Sequence, residues 1–280
     1  MRKRIIIFGG GFISKNISNS LNPRFDISVI TKNECNLENF DELNLYMKKF
    51  CEKSIFIISA SVTRLKENSK KSYNQNLKII NNICNLDYFT KIVDHVIFLS
   101  TVDVYGINPV LPITEKNNVS PSDYYSKSKL VSEGILRDKL QSNDLTILRL
   151  VGVYGAYETS KSTITALINS VINNNKVIID NNVYRDYVSV DYVVKITEEI
   201  INKKIKGLYN VASGNSFTLE DISISIFNFT HIKPNIVVKQ KNLKNIRQQQ
   251  LIFDVSLLLL NFKKHYFKKS LNNYINKGYI

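Results

Sequence analysis

The sequence predicts an α/β fold: a doubly wound parallel sheet with helices on both faces, plus a smaller, discontinuous C-terminal α/β lobe. Three observations predict it. Apolar runs of strand length alternate with helical stretches over the first half of the chain and beyond. The runs are continuous in Ile, Val, Leu and Phe rather than alternating with polar residues, which marks strands buried on both faces. From about residue 156 the segments become shorter and less regular.

Each element follows in order. "RIIIFG" at 4–9 reads as the first buried strand and breaks at three glycines before a helix around 12–21. "DISVIT" (26–31), "SIFIISA" (54–60) and "HVIFLS" (95–100) read as further strands, with helices around 39–51, 72–86 and 123–141 between and after them. "LTILRLVGVYG" (145–155) reads as one long strand. "STITALINSVINN" (162–174) reads as a helix and "KVIID" as a strand after it. A helix around 190–202 and the strand "GLYNVAS" (207–213) resemble the first part again, and the tail from 216 is irregular. The expected division is therefore a large domain over 1–155 that also receives 186–213. The small lobe takes 156–185 and 214–280.

Composition narrows the function. Of 280 residues, 44% are hydrophobic and 22% charged, as in ordinary globular chains. The net charge of +14 favours an anionic partner. The lysines are scattered from Lys3 to Lys277 and accompany no aromatic motif, so the sequence points away from nucleic acid and toward an anionic small molecule. Cys35, Cys51 and Cys84 lie far apart, as reduced thiols in a cytoplasmic protein would. His95, His231 and His265 show no metal-ligand spacing, so no metal site is expected. The start "MRKRIIIFGGGFI" has the basic-then-apolar order of a signal peptide. Its run is short and ends in glycines, which suits a first strand better. No stretch reaches the apolar length of a membrane span.

The glycine turn carries the first chemistry. Gly9-x-Gly11-x-x-Ser14 is a G-x-G-x-x-G pattern with serine at its last place. Such a turn lets a pyrophosphate approach bare backbone, and the helix start at Phe12 and Ile13 offers N–H groups and a positive dipole end. A Rossmann-type, NAD(P)-binding domain is the expectation. At the end of the second strand, Thr31 and Lys32 stand where NAD-binding chains carry a carboxylate. A hydroxyl and a cation suit a 2′-phosphate, so NADP(H) is favoured. Glu34 is near enough to keep NAD(H) open.

The segment "SDYYSKSKL" (122–130) carries the second. Tyr125 and Lys129 are its one tyrosine–lysine pair at i,i+4 spacing, hence on one helix face. Tyr124 and Lys127 are three apart and face elsewhere. A lysine beside a phenol favours the phenolate, which makes the tyrosine a usable acid or base.

Six stretches in order now carry a resemblance: "GGGFIS", "STVDVYG" (100–106), "PSDYYSKSKLVSE" (121–133), "LRLVGVYG" (148–155), "RDYVSVDYVV" (185–194) and "YNVASG" (209–214). The chain resembles the extended short-chain dehydrogenases/reductases, the nucleotide-sugar epimerase, dehydratase and ketoreductase group, over nearly its whole length. The resemblance implies Tyr125 as acid/base and Lys129 as the group that bonds the nicotinamide ribose. It implies Thr101 as the group that bonds the reacting sugar oxygen. Asn76 would buttress the site, Asp103 would be a substrate hydroxyl ligand, an extra acid or a leftover polar residue, and Arg185 would grip the substrate diphosphate, its alternative being a salt bridge with Asp186 or Asp191. Sugar 4,6-dehydratases of the family carry Asp-Glu after the threonine. Here Val102 and Asp103 stand there, and valine delivers no proton. Gly152 and Ala156 replace the Asn and Pro common around "VYG". The resulting expectation is NADPH-dependent reduction of a 4-keto-6-deoxyhexose nucleotide, in deoxysugar or surface-polysaccharide biosynthesis. The alternatives are an NAD-dependent 4-epimerase and a non-catalytic NADP-binding regulator. Many relatives pair, so a homodimer is one state the resemblance allows.

Overall fold

The apolar runs become strands because Ile, Val and Phe pack well on a pleated surface buried from both sides. In this computed structural model the described residues are 2–107, 109–140, 144–158, 163–173, 175–180, 183–239 and 252–277. The chain runs through β1 (Arg4–Phe8), α1 (Phe12–Leu21), β2 (Asp26–Ile30), α2 (Phe40–Met47), β3 (Ser54–Ile58), α3 (Lys70–Cys84) and α4 (Phe89–Ile92). It continues through β4 (Val93–Thr101), a 3₁₀ turn (Val102–Tyr105), α5 (Tyr124–Leu140), β5 (Leu145–Leu150), β6 (Gly152–Tyr154), α6 (Thr163–Ile172) and β7 (Val177–Asp180). Last come β8 (Tyr187–Ser189), α7 (Val190–Lys203), β9 (Gly207–Val211), α8 (Leu219–Thr230), β10 (Ile236–Lys239), α9 (Ser256–Leu259) and α10 (Phe267–Asn276).

The first of two units comprises Met1–Gly106, Val119–Leu150 and Val194–Tyr209. Its sheet has the order β2-β1-β3-β4-β5-β9, and β1 to β5 pair in parallel. The order reverses between β1 and β3, the place where doubly wound sheets open a crevice at the carboxyl ends of the strands. The core lies between this sheet and its helices: Phe8, Phe56 and Phe98 from the strands meet Leu43, Ile80, Phe89 and Leu136. Helix α3 begins at Lys70, not 72, because Ser69 and Ser72 form a reciprocal capping box.

The second unit comprises Ile107–Asn118, Val151–Val193 and Asn210–Ile280. It holds two small parallel pairs, β6–β8 and β7–β10. Its core gathers Tyr154, Ile168, Val171, Tyr187, Ile226, Phe267 and Leu271. The predicted strand 145–155 is two strands, interrupted at Val151. Gly152 marks the change of partner: a Cβ there would stand 2.5 Å from the Tyr187 ring, so only glycine lets β6 lie against β8.

Among the described residues no helix is long and apolar enough to cross a membrane, and no cluster of His, Cys, Asp and Glu could hold a metal ion.

Candidate active site

The turn after β1 is fixed by what surrounds each glycine. Gly9 sits at φ +108, and a Cβ on it would stand 2.8 Å from both the Cα and N of Ala60. Gly10 would strike the Thr31 side chain at 2.8 Å. Gly11 differs: its backbone is extended (φ −69, ψ 175), and a Cβ there would meet nothing within 4 Å. Protein packing therefore does not explain glycine at 11. The empty volume lies at the N-terminus of α1, whose first turn carries no acidic residue. Phe12 and Ile13 present that first turn. A bare backbone beside open space, a positive helix end and no carboxylate fit the diphosphate of a dinucleotide. Ser14 is fully buried, and its hydroxyl meets the Ser59 hydroxyl at 2.5 Å. That bond ties α1 to the end of β3, where a third glycine would give close packing instead.

At the end of β2, Glu34 folds back onto Thr31. Its carboxylate accepts the Thr31 N–H at 2.7 Å and the Thr31 hydroxyl as well. The hydroxyl bond, then the N–H bond, holds the Glu34 carboxyl below its usual range. Lys32 is exposed beside it. The strand end thus offers a carboxylate and a cation together, and sequence distance alone did not bring Glu34 that close.

The catalytic candidates lie on β4 and in the first turns of α5. Thr101 closes β4, and its hydroxyl accepts the Asp103 N–H at 3.2 Å. Tyr125 and Lys129 lie one turn apart on α5, with the Lys129 Nζ 5.9 Å from the Tyr125 ring centroid. Lys129 is buried, and its ammonium donates to the Leu99 carbonyl at 2.8 Å. Burial pulls Lys129 down to about 8, and Glu133 works against the fall.

Tyr125 departs from the sequence expectation. Its phenol is not lowered by Lys129; burial, then Asp103, pushes it up to about 12 against Arg64 and a Ser61 hydrogen bond. The phenol therefore stays protonated in the free protein at neutral pH. Arg64 was not visible as a site residue. Its guanidinium lies 3.1 Å from Asp103 and 3.1 Å from Asp123, bridging the 3₁₀ turn to the start of α5. The Asp123 carboxylate also accepts the Ser126 N–H at 2.7 Å. Arg64 stands in an irregular polar segment, so no periodicity flags it.

Asn76 lies on α3, buried, with its amide wholly engaged. It accepts the Val62 N–H at 2.7 Å and donates to the Val62 carbonyl at 3.1 Å and to Ser128 at 3.0 Å. That is a buttress between the loop after β3 and α5. Arg185 belongs to the second unit. Its backbone pairs with Phe217 and its guanidinium donates to the Tyr184 carbonyl at 2.8 Å. Asp186, next in the chain, accepts from Ser213 and Gly214, and Asp191 pairs with Lys277.

The model of the NAD dependent epimerase/dehydratase family matches residues 5–212. A GDP-6-deoxy-D-talose 4-dehydrogenase from Aggregatibacter actinomycetemcomitans is 24% identical over 233 residues, 78% of this chain and 77% of that protein. Among solved structures, the Thermus thermophilus UDP-glucose 4-epimerase in complex with NAD superposes with a TM-score of 0.83, at 18% identity and 98% coverage of both chains. The Bacillus anthracis dTDP-4-dehydrorhamnose reductase in complex with NADP gives 0.82 at 18% identity, covering 99% of this chain and 100% of the other.

Proposed function

We propose, for a chain that belongs to the NAD dependent epimerase/dehydratase family, the reduction of a 4-keto group on a nucleotide-linked 6-deoxyhexose. The observation that carries this reading is the Tyr125–Lys129 pair, one turn apart on α5 with the Lys129 Nζ 5.9 Å from the Tyr125 ring centroid. A phenol held as an acid suits the reductive direction, in which a developing alkoxide must be protonated. Epimerisation begins with oxidation and asks the same tyrosine for a base first. Dehydration asks for further acid and base groups. Val102 has none, and Asp103 is ion-paired with Arg64. The relative active on GDP-6-deoxy-D-talose supports a 6-deoxyhexose nucleotide as the substrate class.

The residues divide the work as follows. Gly9, Gly11, Phe12 and Ile13 would hold the dinucleotide diphosphate, and Thr31 with Lys32 would face its adenosine ribose. The nicotinamide, when bound, supplies the hydride. Tyr125 donates its phenolic proton to the C4 oxygen. Thr101 donates a hydrogen bond to the same oxygen, and the Lys129 ammonium bonds the ribose and adds positive charge near the phenol. Arg185, on the second unit, would take two oxygens of the substrate diphosphate in its planar fork. The related structures contain NAD in one case and NADP in the other, which supports a nicotinamide cofactor. Lys32 favours NADPH.

A second reading, NAD-dependent 4-epimerisation, is favoured by one observation: the Glu34 carboxylate at the end of β2, which suits an unphosphorylated ribose. The deciding experiment offers NADPH and a nucleotide-linked 4-keto-6-deoxyhexose. Absorbance of NADPH should fall, with one C4 stereoisomer formed by NMR. Epimer formation from a nucleotide hexose without added cofactor, and with no net NADPH oxidation, overturns the reductase reading.

A further inference from the structure

Helix α5 carries a third member of the Tyr125–Lys129 stripe. Glu133 follows Lys129 by four residues and Tyr125 by eight, so all three share one face. A glutamate on a helix normally reaches water, yet Glu133 is 0% exposed. Four donors converge on it. Ser100 donates its hydroxyl at 2.6 Å and Arg149 its Nε at 3.0 Å to one carboxylate oxygen. Arg149 at 2.7 Å and Arg137 at 3.2 Å donate to the other.

The donors come from the elements that carry the candidate site. Ser100 immediately precedes Thr101 on β4, and Arg149 is its register partner on β5. The Arg149 guanidinium also lies 4.8 Å over the Tyr105 ring, in the 3₁₀ turn that contains Asp103. Beside Lys129 on α5, Ser128 accepts from the uncharged Asn76 of α3. One carboxylate thus clamps α5 against the ends of β4 and β5.

A buried ion pair of this kind is weak evidence for a stabilising role. Buried ion pairs replaced by packed apolar groups often leave stability unchanged or improved, while removal of one partner strands the other. We propose that Glu133 is a positioning residue for the Thr101/Tyr125/Lys129 set. It fixes the helix that bears Tyr125 and Lys129 against the strand end that bears Thr101, and supplies the negative charge that faces the Lys129 ammonium. The inference rests on the proposed reading of Lys129 as a dinucleotide contact. Lys129 is otherwise surrounded by the Phe98 and Tyr125 rings and the Leu99 carbonyl. The charges around Glu133 are Arg137 and Arg149, with Tyr105 beyond.

The test uses fluorescence titration of NADPH from pH 6 to 9 on the full chain, so it needs no sugar substrate. The parent should bind less tightly as pH rises through about 8, where Lys129 gives up its proton. Glu133→Gln should move that midpoint downward by about one unit, a tenfold change in proton affinity. It should also lower turnover more than it changes KM. Because Glu133→Gln leaves Arg149 buried beside a neutral group, the double variant Glu133→Gln/Arg149→Met is measured in parallel and should show a midpoint displaced in the same direction, by less because a cation leaves with the anion. A midpoint unchanged in a folded variant overturns the proposal, as does failure of both variants to fold, which would make the role structural. A parent that binds no dinucleotide at any pH overturns the functional reading itself, and this proposal with it.

Discussion

Two glycines two residues apart should respond oppositely to the same substitution. Alanine at Gly9 must adopt φ +108, which costs about 1–2 kcal/mol for an L residue. Its Cβ would also stand 2.8 Å from the backbone Cα and N of Ala60, atoms held by the β1–β3 ladder. Overpacking against atoms that cannot rotate away adds about 1–3 kcal/mol. The sum, about 2–5 kcal/mol, is a large part of the roughly 5–15 kcal/mol that holds a domain folded. Gly11→Ala meets no atom and keeps an ordinary φ. Reduced freedom of the unfolded chain contributes about 0.4–1 kcal/mol in its favour. The poorer N-cap costs a similar amount, so stability should stay near the parent's. The new methyl does fill the volume assigned to the diphosphate, and NADPH affinity should drop about tenfold or more, ~1.4 kcal/mol. Urea unfolding midpoints at constant slope and NADPH fluorescence titrations read the two effects separately. Gly11→Ala with parental affinity would refute the placement of the diphosphate at α1. Gly9→Ala with a parental midpoint would refute the packing argument.

Other outcomes follow from the same geometry. Tyr125→Phe should reduce turnover by about 10²–10⁴ with cofactor affinity nearly unchanged. Tyr124→Phe, whose ring is exposed and faces Tyr73, should retain far more activity, as steady-state rates will show. Lys32→Asp should weaken NADPH binding by roughly 1–3 kcal/mol and NADH binding much less; equal losses for both cofactors would exclude a 2′-phosphate contact. Burial holds His95 down to about 4 from its usual 6.5, while its Nε2 meets the Thr146 hydroxyl at 2.8 Å. The unfolded chain takes up this proton first, so the contribution is intact above about pH 6.5 and fades as pH falls toward 4. Unfolding free energy should drop by about 2 kcal/mol between pH 7 and pH 5 from this group, and His95→Gln should flatten that slope.

The sheet was legible because its strands are buried on both faces, and continuous Ile/Val/Phe runs record that directly. Gly9 and the i,i+4 spacing of Tyr125 and Lys129 were legible because a turn and a helix face are local geometry. The interruption at Val151 was hidden, since an apolar run says that a strand is buried but not against which partner. Gly152 was the one signal, and its meaning depends on Tyr187 far along the chain. Arg64 was hidden for the same reason: Asp103 and Asp123 lie 39 and 59 residues from it in the numbering. Helix α5 obscured its own inner face. Ser126, Ser128, Lys129, Ser132 and Glu133 are buried polar residues, so the stripe that points inward does not look apolar.

The path of the chain has a consequence for its synthesis. It passes from one unit to the other after Gly106, Asn118, Leu150, Val193 and Tyr209. A ribosome that has released residues up to 150 has delivered five strands of the sheet but not β9, which covers the far side of β5. All six residues of β5 are buried in the finished fold. Until residues 207–211 emerge, that strand is a bare apolar edge able to pair with another nascent chain. The segment that relieves it also brings its own fasteners: the Ile201 and Ile205 carbonyls accept from Lys3 and Thr146, and Lys204 and Lys206 reach Asp94 and Asp144. Fragments that stop near residue 155 should therefore collect in aggregates, and adding residues through 211 should return them to solution.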